Sequence, residues 1–63
     1  MPFVVINVFE GRSEEQKSET IKEVTEVLVR TLGAKKEAVR VLIQEHDKAN
    51  WGIGGTSAKE LGR

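Results

Sequence analysis

Apolar residues first alternate along this chain and then recur at helical spacing, and the two rhythms divide it into strand, helix and strand. Residues Pro2 to Phe9 are rich in Val, Ile and Phe, the composition of a strand. Side chains on a strand alternate between faces. Phe3, Val5 and Phe9 therefore share one face with Asn7, and Val4, Ile6 and Val8 share the other. Both faces are apolar, and both call for cover. Glu10-Gly11-Arg12-Ser13 reads as a turn. Ser13 with Gln16 three residues on predicts a capping box, and Glu14 and Glu15 suit the positive end of a helix. That helix runs to about Leu32, with Gly33 as its stop. Ile21, Val24, Val27, Leu28, Thr31 and Leu32 form its apolar stripe. Lys17, Glu19, Lys22, Glu23, Glu26 and Arg30 fall mostly on a solvated face.

Ala34 to Ala38 is a short connection, and Val39 to Glu45 is the second strand. Val39, Val41 and Ile43 lie on one side of it and Arg40, Leu42 and Gln44 on the other. Strand, helix and strand in this order predict a βαβ unit with parallel strands and a right-handed crossover. The tail holds Trp51-Gly52-Ile53-Gly54-Gly55, whose glycines predict a tight, hairpin-like turn. The fold class is thus α/β (α+β): one βαβ unit with a short C-terminal hairpin-like tail, in a single domain covering residues 1–63.

Length sharpens this picture. A chain of 63 residues buries only about 60% of the surface its unfolded form exposes. Such chains commonly need a staple. There is no cysteine, so no disulfide can serve, and His46 is the only histidine, which disfavours a metal site. Oligomerisation remains. A two-stranded sheet has two faces and the chain supplies one helix, so one face of the first strand is expected to be covered by another copy.

Charge narrows the partners. Ten basic residues balance ten acidic ones, which argues against a nucleic-acid partner and against attachment to anionic membranes. No stretch has the apolar length of a membrane span, and the start lacks a basic leader. The expected location is the cytoplasm.

The chemistry begins at Pro2. If Met1 is removed, Pro2 becomes a secondary amine that can act as a general base, which an amide nitrogen cannot. The bland reading has Pro2 merely opening an edge strand, a normal place for proline. Arg12 follows the first strand and Arg40 lies within the second. An arginine inside an apolar strand is costly unless paired, and a guanidinium matches a carboxylate in bidentate geometry. Two arginines near an amine base suit a substrate with one or two carboxylates. Taken singly, each arginine could instead pair with a glutamate such as Glu10 or Glu45. His46, flanked by Glu45 and Asp47, is expected at a strand end facing solvent, because nothing nearby completes a triad. Gly52-Ile53-Gly54-Gly55 lacks the Gly-Lys-Ser/Thr of a phosphate loop. Trp51, the only tryptophan, serves either packing at a subunit contact or an apolar wall.

These residues together resemble the 4-oxalocrotonate tautomerase family, the short-chain branch of the tautomerase superfamily. The markers are Pro2 after Met1; Glu10-Gly11-Arg12-Ser13 with Gln16-Lys17; Val39-Arg40-Val41; and Gly52-Ile53-Gly54-Gly55. They run in register over nearly the whole chain. The resemblance implies that Pro2 is the catalytic base with Met1 removed. It implies that Arg12 binds the distal carboxylate of a dicarboxylate or enol substrate. Arg40, from a neighbouring subunit, would hold the other carboxylate and the 2-oxygen. Phe9 and Trp51 join the substrate-binding residues; Trp51 stands where the family commonly has phenylalanine. A homohexamer, built as a trimer of dimers, is implied, with no cofactor and no metal. The implied activity is enol-to-ketone isomerisation of a dienol such as 2-hydroxymuconate. A low-dielectric pocket beside Trp51 and the charges of Arg12 and Arg40 would lower the basicity of the Pro2 amine toward neutrality. The alternatives are dehalogenation of a haloacrylate or decarboxylation of a 3-oxo acid on the same scaffold, or a non-catalytic oligomeric binding protein if Met1 is retained.

Overall fold

The computed structural model describes all residues, 1–63. Its order is β1 (Phe3–Phe9), α1 (Glu14–Leu32), a 3₁₀ turn (Lys36–Ala38), β2 (Arg40–His46), a second 3₁₀ turn (Lys48–Asn50), β3 (Gly52–Ile53) and β4 (Thr56–Ser57). β1 and β2 pair in parallel, and β3 and β4 pair antiparallel as a separate small sheet. The βαβ unit and the hairpin tail expected from the pattern are both present.

α1 forms where the capping chemistry predicts. The Ser13 hydroxyl accepts from the Gln16 N–H at 3.1 Å, and the Gln16 side chain accepts from the Ser13 N–H at 3.0 Å. Two of the helix's orphan donors are satisfied by this exchange. Gly33 ends the helix in the left-handed region (φ 68°, ψ 21°), a conformation glycine adopts without a Cβ penalty. Thr20, Thr25 and Thr31 donate their hydroxyls to the carbonyls of Gln16, Ile21 and Val27, sharing acceptors that the helix ladder also uses.

The register of the sheet sorts its faces. Val4 lies opposite Val41, Ile6 opposite Ile43 and Val8 opposite Glu45. Of these, Val4, Ile6, Val8, Val41 and Ile43 are half-buried, and they form the side covered by α1. Phe3, Val5 and Asn7 face away with their partners Arg40, Leu42 and Gln44, and all six are exposed. The helix stripe is wider than its cover. Val24 and Leu28 are half-buried, but Ile21, Val27 and Leu32 remain exposed. Strands lie about 4.8 Å apart, whereas a helix with its side chains is about 10 Å across, so two strands cannot roof the whole stripe.

β2 departs from the sequence expectation by one residue at each end. Val39 caps the 3₁₀ turn, donating its N–H to Lys36 O, and the strand starts at Arg40. It continues through His46, which is half-buried at the strand end, against the Trp51 ring. One ion pair ties helix to sheet: Lys17 Nζ meets Glu45 Oε1 at 2.9 Å, each side chain about a third exposed. Exposed pairs of this kind contribute about 0.2–1 kcal/mol.

The tail folds back on the second 3₁₀ turn. Ala58 N–H donates to Trp51 O at 2.7 Å and Lys59 N–H to Lys48 O at 3.3 Å. Gly54 and Gly55 carry φ of 61° and 89°, the two positive values of a type I′ hairpin loop. Ala58 is the one residue buried outright.

The protomer by itself is thinly packed. Its radius of gyration is 14.7 Å with extents of 42 × 24 × 14 Å, against roughly 11 Å for a compact chain of this length. Its accessible surface is 4833 Å², against about 4,000 Å² for a compact monomer of this mass. Phe3 is 63% exposed on the open face of the sheet, beside Val5 and Leu42. These quantities describe a piece whose apolar surface is not closed by its own chain.

Candidate active site

Parallel strands start at the same end, and this decides which candidate residues meet. Pro2 directly precedes β1 and Arg40 opens β2. The Arg40 N–H donates to Pro2 O at 3.0 Å, and Arg40 stands opposite Phe3 in the register. The Arg40 guanidinium turns to backbone, donating to Glu37 O at 2.7 Å and to Val39 O at 3.4 Å. No carboxylate pairs with it. Met1 is 85% exposed, open to solvent beside this end of the sheet.

Arg12, Phe9 and Trp51 belong to the other end. Seven residues of β1, at about 3.3 Å each, put roughly 20 Å between its first and last positions. Arg12 follows the turn after β1 and donates through Nη1 to Phe9 O at 3.3 Å. It too has no carboxylate partner: neither Glu10 nor Glu45 pairs with it, and Glu45 is taken by Lys17. Arg12 opens onto a groove of about 480 Å³ along α1, bordered by Gln16, Glu19, Thr20, Glu23 and Val24. Trp51 sits on the opposite side of the sheet from α1, its ring centroid 4.6 Å from Phe9 at 71°. Within one chain, then, Pro2 and Arg40 are together, Phe9 and Trp51 are together, and Arg12 adjoins Phe9. The two groups are a strand length apart.

One cluster escaped the sequence reading. His46 Nε2 lies 2.8 Å from Asn7 Oδ1, and the His46 ring meets Trp51 edge-on at 5.7 Å and 73°. Ending the second strand at Glu45 hid it. Carrying the alternation one residue further would have put His46 on the face of Arg40, Leu42 and Gln44, beside Phe9. No group of three His, Cys, Asp or Glu side chains converges anywhere in the chain, and no helix is long and apolar enough to cross a membrane.

The fold and the site together define a short βαβ protomer that brings two unneutralised arginines and a proline to the two ends of one parallel pair of strands. A family model for tautomerase enzymes matches residues 2–61. The 2-hydroxymuconate tautomerase of Comamonas testosteroni is 57% identical, with all of both chains covered. A structure from work on the 4-oxalocrotonate tautomerase isozymes of Methylibium petroleiphilum superposes with a TM-score of 0.91 at 55% identity, over 98% of this chain and 100% of that one. A chain of a heterohexamer 4-oxalocrotonate tautomerase from Chloroflexus aurantiacus J-10-fl superposes with a TM-score of 0.90 at 34% identity, over 97% and 98%. The chain belongs to the tautomerase family of enzymes. Its activity class is accordingly that of an isomerase.

Proposed function

We propose that this chain is a cofactor-independent tautomerase of the 2-hydroxymuconate (4-oxalocrotonate) type, working from the cytoplasm as a homohexamer. The observation that carries the reading is that Arg12 and Arg40 both stand free of carboxylates, held only by backbone carbonyls. A guanidinium so placed has its bidentate face to offer a carboxylate ligand. Because the two arginines sit at opposite ends of β1, one small diacid is gripped by both only if a neighbouring protomer presents one end to the other. The open face with Phe3, Val5 and Leu42 supports the same assembly, since apolar surface of this kind is ordinarily covered.

In this reading Met1 is removed and the Pro2 nitrogen carries a free lone pair. That nitrogen takes the proton of the 2-hydroxyl group. The electron pair closes the C2=O bond, the conjugated double bonds shift by one position, and C5 receives a proton from the same nitrogen. The proton count is unchanged and nothing is oxidised. Arg40 balances the negative charge that builds on the 2-oxygen, and Arg12 holds the distal carboxylate. Interactions aimed at developing charge are among the largest catalytic terms. Phe9 and Trp51 wall the site with apolar surface.

The test combines the intact mass of natively expressed protein, native mass spectrometry, and the ultraviolet change as 2-hydroxymuconate ketonises. Loss of one methionine, a sixfold assembly and rapid ketonisation are the expected results. Full-rate turnover by protein that retains Met1 would falsify the role given to Pro2.

A further inference from the structure

Trp51 is held from several directions, and the contact that involves His46 has no part in the chemistry above. Its backbone is tied at both polar groups: Trp51 N–H donates to Lys48 O at 3.4 Å and Trp51 O accepts from Ala58 N–H at 2.7 Å. Its ring lies against two aromatic neighbours, Phe9 at 4.6 Å and His46 at 5.7 Å, both near-perpendicular. Edge-to-face contacts of this geometry are directional and resist rotation of the ring. Phe9 is steadied in turn by Lys48 Nζ, 5.6 Å from its centroid. The His46 ring is anchored by its bond to Asn7 at 2.8 Å. With Asn7 Oδ1 as the acceptor, the donor in this bond is the ring Nε2–H. Asn7 and Phe9 belong to β1 and His46 to β2, so the indole is set by the rigid pair of strands and not by the tail alone.

We propose that His46, pinned by Asn7, is a positioning residue for Trp51, and that the pair thereby determines which enols the site accepts. The proposal rests on the reading of Trp51 as a wall of the substrate site. A large indole that could swing would fit flat and bulky substrates alike. Held at a right angle to both neighbours, it presents one surface at one distance. Substrate preference between a linear diacid and an aryl monoacid then depends on a hydrogen bond that touches neither.

The chain has one tryptophan and no tyrosine, so its intrinsic fluorescence reports Trp51 alone. The experiment uses the full assembled protein and four variants: Asn7→Leu, His46→Leu, His46→Gln and Trp51→Ala. It measures tryptophan anisotropy, and kcat and KM for 2-hydroxymuconate and for phenylenolpyruvate. Asn7→Leu and His46→Leu are each expected to lower the anisotropy and to change the ratio of kcat/KM between the two substrates by about fivefold, the equivalent of one ordinary hydrogen bond. The change should fall in KM more than in kcat. His46→Gln, whose side-chain amide can replace the Nε2 donor, should recover part of the ratio. If both Leu variants keep the parent ratio and anisotropy while Trp51→Ala alters the ratio, the positioning role is overturned and the site reading stands. If Trp51→Ala itself leaves every constant unchanged, the wall assignment is overturned and the proposal with it.

Discussion

The two ends of the parallel sheet are built differently. The end that carries Pro2 and Arg40 is open: Met1 and Phe3 are exposed and the Arg40 guanidinium rests on two carbonyls of its own turn. The end that carries Phe9, His46 and Trp51 is preassembled, with interlocked rings, the His46–Asn7 bond and a tail hydrogen-bonded to Lys48 and Trp51. The lesson is a division of labour. The groups proposed to react sit where the protomer is least finished, and the groups proposed to wall the site sit where it is most finished. A chain of this size lacks the material to close both ends. In the proposed assembly, a neighbouring copy covers the open end.

That contrast can be broken most severely at Pro2. Blocking its nitrogen by a retained Met1 should cut kcat by about 10²–10⁴-fold, the usual reach of a positioned acid–base group, while native mass spectrometry shows the assembly intact. Pro2→Ala, which leaves a primary amine after processing, should show a smaller loss of kcat in the same assay. Next comes Arg40→Ala. Removing a donor aimed at developing negative charge should lower kcat by about 10²–10³-fold, with a lesser change in KM. Arg12→Ala belongs to the binding end and should act mainly through KM, by about tenfold or more, as expected for loss of a charge-assisted contact; kcat follows it down only if the distal carboxylate helps align the reacting carbons. Unchanged kcat/KM in both arginine variants would remove the two-anchor arrangement altogether. The smallest effect concerns the helix cap. Ser13→Ala deletes the hydroxyl that caps α1 and should cost about 1 kcal/mol in a denaturant melt with turnover per folded molecule preserved. A large activity loss there would mean that the helix start, next to Arg12, is coupled to the site.

Much of the fold was legible in the sequence because local chemistry wrote it. Ser13, Gln16 and Gly33 marked both ends of α1, and the alternation of Val and Ile marked β1 on both faces. The glycine pair Gly54–Gly55 announced a turn whose two positive φ values only glycine takes easily. The candidate residues could be picked out by type, but their places could not. Arg12 and Arg40 stood out as arginines without obvious use, yet nothing local says that Glu45 is taken by Lys17, twenty-eight positions away in the chain. His46 lost its place beside Phe9 because the expected strand boundary, one residue short, left it outside the alternation.

Pattern and composition alone determined a βαβ unit, its caps and its hairpin, since each depends on neighbours within a few positions. Tertiary structure decided the rest: that Pro2 and Arg40 share one end, that Arg12 and Trp51 lie a strand length away, and that Asn7 holds His46 against the indole. Those relations follow from the parallel register of β1 on β2. A register joins residues some forty positions apart, and no short-range preference encodes it.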